Sequence, residues 1–144
     1  MAWIDSSGSM TDDQLKMCLS EVYQVAIAKK PMKIVVVQCD TRIQEIKEYT
    51  SVEALKKDFK HATVKGRGGT ELKPCWDLLK TDKRYKGKKP DLVMIFTDGW
   101  LNQYKRDRRT MNKLIWCFID SPSKTVENPD ADTKCIHLSS ASIK

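Results

Sequence analysis

Short apolar runs separated by polar loops set the rhythm of this chain. Ala2 to Asp5 reads as a short strand. Lys33-Ile34-Val35-Val36-Val37-Gln38-Cys39 is a β-branched run apolar on both faces, as a central parallel strand would be. Leu92-Val93-Met94-Ile95-Phe96 and Leu114-Ile115-Trp116-Cys117-Phe118-Ile119 read as two more buried strands, and Cys135-Ile136-His137-Leu138 as a last short one. Arg42 to Tyr49 sets Ile43 and Ile46 among charged residues, which predicts an antiparallel edge strand joined to its predecessor through Asp40-Thr41.

Helical patterns fall between these runs. Thr11-Asp12-Asp13-Gln14 is a capping box, and Leu15, Cys18, Leu19, Val22, Val25 and Ala26 mark one face of the helix it opens. Pro31 ends that helix. Val52 to Phe59 predicts a short amphipathic helix. Another is predicted from about Glu71, with Pro74 tolerated in its first turn and Trp76, Leu78 and Leu79 available for packing. Gln103 to Thr110 is too charged for a core element and reads as loop or exposed helix, and Ser121 to Asp132 reads as a loop. Alternating strands and helices predict an α/β three-layer sandwich with a mostly parallel central sheet and one antiparallel edge strand. The 144 residues suit a single domain over 1–144.

Composition narrows the function classes. No run of about 18 apolar residues exists, so no membrane span is expected. Met1-Ala2-Trp3-Ile4 lacks the basic and apolar regions of a signal peptide. Cys18, Cys39, Cys75, Cys117 and Cys135 are scattered without metal-type spacing, which predicts buried free thiols and a reducing, cytoplasmic setting. His61 and His137 have no nearby His or Cys, which argues against zinc. The net charge is +7, with basic clusters at 83–89 and 105–109. Such clusters are either solvated faces or steer acidic partners and nucleic acid.

The candidate chemistry lies in three loops. Asp5-Ser6-Ser7-Gly8-Ser9 follows the first apolar run and offers a carboxylate and hydroxyls on alternate residues, Asp5, Ser7 and Ser9. Gly68-Gly69-Thr70 adds a further hydroxyl, and Phe96-Thr97-Asp98-Gly99 a second carboxylate at the end of another strand. These are hard oxygen donors, suited to Mg2+ or Mn2+ rather than to softer metals. In an open parallel sheet, ligands bind beyond the carboxyl ends of the strands where the strand order reverses. If the strands ending in Asp5 and before Asp98 are neighbours there, both carboxylates face one crevice.

The series Asp5, Ser7, Ser9, Thr70, Asp98 resembles the metal-ion-dependent adhesion site (MIDAS) of von Willebrand factor A (VWA) domains, a Rossmann-like fold. A closer likeness is to a bacterial and phage VWA-like family. Its members carry phrases similar to 37–41, Lys65-Gly66-Arg67-Gly68-Gly69-Thr70, Pro90-Asp91-Leu92, Phe96-Thr97-Asp98-Gly99 and Leu114-Ile115-Trp116. The resemblance implies that Ser7, Ser9 and Thr70 contact a divalent cation through their hydroxyls, and that Asp5 and Asp98 hold it largely through waters. One coordination position is then left for a partner's Asp or Glu. It also implies a partner class, the MoxR-type AAA+ ATPases that VWA-like proteins serve as adaptors. In a phage, the same site would suit sequestering a host factor. Lys65 and Arg67, beside the threonine loop, would draw an acidic partner or stand as ordinary loop charges. Trp100 would gate the site, touch a partner or cover the sheet end. VWA domains usually have more residues before the aspartate and a closing helix after the last strand. Room for neither is seen here, as expected of a trimmed chain, an excised domain or a natural short form.

An enzyme is not expected. Ser9 has no His near it in sequence and Gly-x-Ser-x-Gly is absent. A phosphatase-like use of Asp5 would need a carboxylate where Ser7 stands, and Gly66 to Thr70 lacks the Lys-Ser/Thr ending of a phosphate loop. A metal-dependent hydrolase stays open, because two carboxylates at neighbouring strand ends can activate a metal-bound water. So does nucleic-acid binding through the basic clusters 83–89 and 105–109.

Overall fold

The structure is a computed structural model that describes residues 1–6, 8, 10–66, 68, 72–97, 110–120 and 133–139. Within them, strands β1 (Ala2–Asp5), β2 (Ile34–Cys39), β3 (Ile43–Tyr49), β4 (Leu92–Thr97), β5 (Lys113–Ile119) and β6 (Thr133–Leu138) form one sheet in the order β3-β2-β1-β4-β5-β6. All pairings are parallel except β2 with β3, which puts the one antiparallel strand at an edge, as the sequence predicts. From β1 the chain first builds outward through β2 and β3, then returns to add β4 on the other side of β1. The β1–β4 boundary is therefore the point where strand order reverses.

Helices cover both faces. The long α1 (Asp12–Lys29) and short α2 (Val52–Phe59) pack on one, and α3 (Lys73–Thr81) on the other. The start of α1 is the predicted capping box: Gln14 N donates to Thr11 Oγ1 at 3.1 Å and Thr11 N donates to Gln14 Oε1 at 3.0 Å. Lys30, in the left-handed region at φ 49°, closes the other end by donating its amide to Ala26. Helix α3 begins at Lys73 rather than near Glu71, which lies outside the described residues. Pro74 then sits in the first turn, where a missing N–H breaks no intrahelical bond.

Strand alternation divides the core in two. Ala2, Ile4, Ile34, Val36, Met94, Phe96, Cys117 and Ile119 face α1 and α2. Trp3, Val35, Val37, Cys39, Val93, Ile95, Leu114, Trp116 and Phe118 face α3, where Trp3 and Trp76 meet edge to face at 5.0 Å. All five cysteines are free thiols, four of them buried. No helix among the described residues is long and apolar enough to cross a membrane.

A single inserted residue shapes the edge. Gln38 pairs with Glu45, but Cys39 pairs with Ile43, so Gln44 is the extra residue of a β-bulge. In a regular strand, residues three apart point to opposite faces. The bulge restores phase, so Ile43 and Ile46 both pack on the α3 side, opposite Cys39 and Val37.

Two outcomes follow from this packing. Leu55 is the buried residue of α2 and is fully enclosed. Leu55→Ala should cost about 2–5 kcal/mol, read as a lower urea midpoint with an unchanged slope. At the outer side of β3, the Tyr49 hydroxyl and, secondly, the Lys47 ammonium hold the Asp58 carboxyl below its ordinary pKa. A depressed carboxyl stabilises above its unfolded value and loses that contribution as pH falls through its native one. Because Asp58 is half-exposed, Asp58→Asn should cost less than about 1 kcal/mol at neutral pH. In pH-dependent urea unfolding, that gap should close on acidification below about pH 4, the usual carboxylate range.

Candidate metal centre at the carboxyl end of the sheet

Asp5 ends β1 at the reversal point and is completely buried. It pairs in register with Cys39 of β2 on one side, and on the other its Oδ2 accepts a hydrogen bond from Thr97 Oγ1, the last residue of β4, at 2.7 Å. The two strand ends that the sequence nominates are therefore neighbours. Asp98 itself follows Thr97 and lies outside the described residues, as do Ser7, Ser9, Thr70, Arg67 and Trp100. Of the residues nominated for partner contact, Lys65 is described and is exposed.

The backbone joins the two hydroxyl-bearing loops directly. Gly8, between Ser7 and Ser9 in the sequence, donates its amide to the carbonyl of Gly68, two residues before Thr70, at 3.0 Å. Ser6 N donates to Cys39 O at 2.9 Å, which ties the start of the serine turn to the end of β2. Ser6 Oγ, in contrast, is buried with no hydrogen-bond partner among the described residues.

Polar side chains that the sequence reading did not nominate hold the threonine loop from below. Asp12 Oδ1 accepts from Val64 N at 2.9 Å. Gln38 donates to Thr63 O at 3.2 Å and accepts from Lys65 N at 2.8 Å. Asp40 is nearly buried, and its Oδ2 accepts from Gly68 N at 3.0 Å. Its Oδ1 accepts from Thr41 N at 2.6 Å, Arg42 N at 3.1 Å and Gln44 Nε2 at 2.9 Å. Burial pushes the Asp40 carboxyl upward, but these donors, led by Gln44, outweigh it and bring its pKa down to about 2. Asp40 is therefore ionised at any ordinary pH. The one sequence hint was the three-residue spacing of Ile43 and Ile46, which betrays an inserted residue in the edge strand.

The donor chemistry here is oxygen. The Cys75 thiol, beside Cys39 and Asp5, is held well above the ordinary thiol range, by its hydrogen bond with Cys39 first and then by burial and the Asp5 charge. A thiol so held stays protonated at neutral pH. No cluster of three or more His, Cys, Asp or Glu side chains able to hold a metal occurs among the described residues. A buried carboxylate at the reversal point, with the Gly8 and Gly68 backbones bonded in the two loops whose sequences carry Ser7, Ser9 and Thr70, offers the oxygen-donor chemistry that a hard divalent cation takes. The basic cluster 83–89 lies elsewhere. It forms the connection from α3 to β4 at the amino ends of the parallel strands, opposite to Asp5.

Three comparisons bear on the assignment. Crystal structures of proximal thread matrix protein 1 from the mussel byssus share this fold. One aligns with a TM-score of 0.65 at 14% identity over 95% of this chain, and a second crystal form with 0.59 at 14% over 99%. A third, described as having a zinc-occupied MIDAS motif, aligns with 0.59 at 16% over 82%. The chain spans 37–42% of the length of these structures. Comparison with curated protein sequences gave no match. The family described as "VWA-like domain (DUF2201)" matches residues 1–138, nearly the whole sequence, and the chain belongs to that family.

Proposed function

We propose that this VWA-like chain is a metal-dependent protein-binding domain rather than an enzyme. The observation that carries the reading is the convergence beside buried Asp5: Thr97 bonds to it from β4, and Gly8 bonds to Gly68 between the two hydroxyl-bearing loops. Ser7, Ser9 and Thr70 would hold Mg2+ or Mn2+ by their hydroxyls, with Asp5 and Asp98 acting largely through waters. A divalent cation held this way keeps uncompensated charge and supplies a coordination position to an incoming carboxylate. Lys65, exposed on the same loop system, would add to the attraction for an acidic partner. Arg67 and Trp100 are proposed to flank the same contact. The zinc-occupied MIDAS motif of the mussel protein supports a divalent ion on this fold.

The partner class we propose is a MoxR-type AAA+ ATPase, with the domain acting as adaptor in the cytoplasm. The competing reading is nucleic-acid binding through the basic clusters 83–89, at the far end of the sheet with Lys83, Arg84, Lys86, Lys88 and Lys89 all exposed, and 105–109, which lies outside the described residues.

Metal titration tests the first step. Mn2+ or Mg2+ at a hundredfold excess over its dissociation constant should stabilise the chain by about 2.7 kcal/mol, seen as a raised unfolding midpoint that EDTA reverses. Asp5→Ala and Thr70→Ala should abolish the increment. For the partner, a purified MoxR-type ATPase from the same genome should be retained with Mg2+ and lost with EDTA or with Thr70→Ala. Retention indifferent to both would overturn metal bridging. Nucleic-acid affinity that falls steeply with salt, survives EDTA and is lost on replacing Lys86 and Lys88 would establish the competing reading instead.

A further inference from the structure

We propose that Asp40 is a positioning residue for the metal centre: its buried carboxylate fixes Gly68, and through Gly68 the Gly8 turn, so that the two hydroxyl-bearing loops are set relative to each other before a cation arrives. The inference rests on the metal-binding reading and assigns a role to a residue outside the proposed ligands.

The geometry separates the two oxygens of this side chain. Oδ1 serves the local turn and the bulge, accepting from Thr41 N, Arg42 N and Gln44 Nε2. Oδ2 serves nothing local. It reaches across 28 residues of sequence to Gly68 N at 3.0 Å. Gly68 in turn accepts from Gly8 N at 3.0 Å, so Asp40, Gly68 and Gly8 form one chain of hydrogen bonds from the end of β2 to the serine turn. Four N–H donors meet this carboxylate, three at Oδ1 and the Gly68 amide at Oδ2.

The loop is cut to fit the carboxylate. A Cβ on Gly66 would lie 2.6 Å from Oδ2, and one on Gly68 2.7 Å. Gly66 also has φ +99°, a conformation that side chains rarely adopt. At Gly68 the approach of Asp40 is the obstacle the structure identifies. Since the carboxylate is pinned by three other donors, it cannot retreat, and the glycines are what lets the backbone amide close to charge-assisted hydrogen-bond distance. Outer contacts that orient ligand-bearing groups are typically worth 10–100-fold in metal affinity.

The test uses the whole chain with Asp40→Asn and Gly68→Ala, singly and together, and Mn2+ as the probe. An asparagine keeps one acceptor oxygen but presents N–H groups where the carboxylate had its second oxygen, so it cannot satisfy all four donors. Two measurements are made. Amide hydrogen exchange without metal should show Gly8 and Gly68 losing at least about tenfold protection in Asp40→Asn, although Asp40 does not bond Gly8. Calorimetric titration should show Mn2+ bound about 10–100-fold more weakly by each single variant, and no more weakly by the double variant, because both remove one connection. Unchanged Gly8 exchange, wild-type Mn2+ affinity in Asp40→Asn, or losses that add in the double variant would each overturn the proposal. If Asp40→Asn fails to fold, Gly68→Ala carries both measurements, and unchanged Gly8 exchange or wild-type Mn2+ affinity in Gly68→Ala overturns the proposal. A wild-type chain that binds no Mn2+ would remove the metal-binding reading and this role with it. Wild-type binding with an indifferent Asp40→Asn removes only the role.

Discussion

A carboxylate withdrawn from water must be met by donors, and at the carboxyl end of this sheet two such carboxylates organise what surrounds them. Asp40 is met by four N–H groups, one contributed by a loop that is distant in sequence. Asp5, fully enclosed, is met by the Thr97 hydroxyl from the neighbouring strand. Neither carboxylate is a surface ornament. Each constrains its partners by being costly to leave unsatisfied, Asp40 a distant loop and Asp5 the end of the neighbouring strand. The glycines at 66 and 68 follow from that requirement, since the backbone must come within hydrogen-bond distance of Asp40.

The sheet supplies the frame on which this works. The order β3-β2-β1-β4-β5-β6 puts β1 at the reversal, with its residues buried on both faces. Trp3 anchors it to Trp76 on one side, and Ile4 lies in the α1–α2 core on the other. A central strand so packed has little freedom, so the position of Asp5 is as rigid as the core. The edge strand β3 contributes differently. Its bulge releases Gln44 from the ladder, and the released amide reaches Asp40 Oδ1 at 2.9 Å. One irregularity thus keeps Ile43 and Ile46 in the core and adds a donor to the buried charge.

Much of this was legible in the sequence, because the signals were local. Strong apolar runs gave β2, β4 and β5 within a residue or two, and the Thr11–Gln14 box gave the start of α1. That the strands ending at Asp5 and Thr97 are neighbours was a condition the sequence could pose but not decide, and the sheet meets it. What escaped was non-local. Nothing near Asp40 in the sequence announces Gly68, because the two meet only after β2, β3 and α2 have folded. Asp12 and Gln38 were read as helix-start and strand residues, yet their side chains hold Val64, Thr63 and Lys65 in place. The odd spacing of Ile43 and Ile46 was visible, but a three-residue step reads as an irregular strand until register shows which residue is extra.

The two proposed sites, at opposite ends of the sheet, would act by different physics, and distance keeps them apart. From Leu92, next to the basic cluster, to Thr97 beside Asp5, β4 rises about 16 Å at roughly 3.3 Å per residue. The Debye length in physiological salt is about 8 Å, so the lysines at 86, 88 and 89 exert little direct pull on a carboxylate approaching Asp5. Their effect on such a partner is confined to the long-range steering that a net charge of +7 provides, which salt weakens. On the metal-binding reading proposed above, a coordination bond at the Asp5 end would be short-ranged and depend on ligand geometry instead. On that reading, specificity would come from how rigidly the loops are preset, a burden that the Asp40–Gly68–Gly8 connection rather than surface charge is placed to carry.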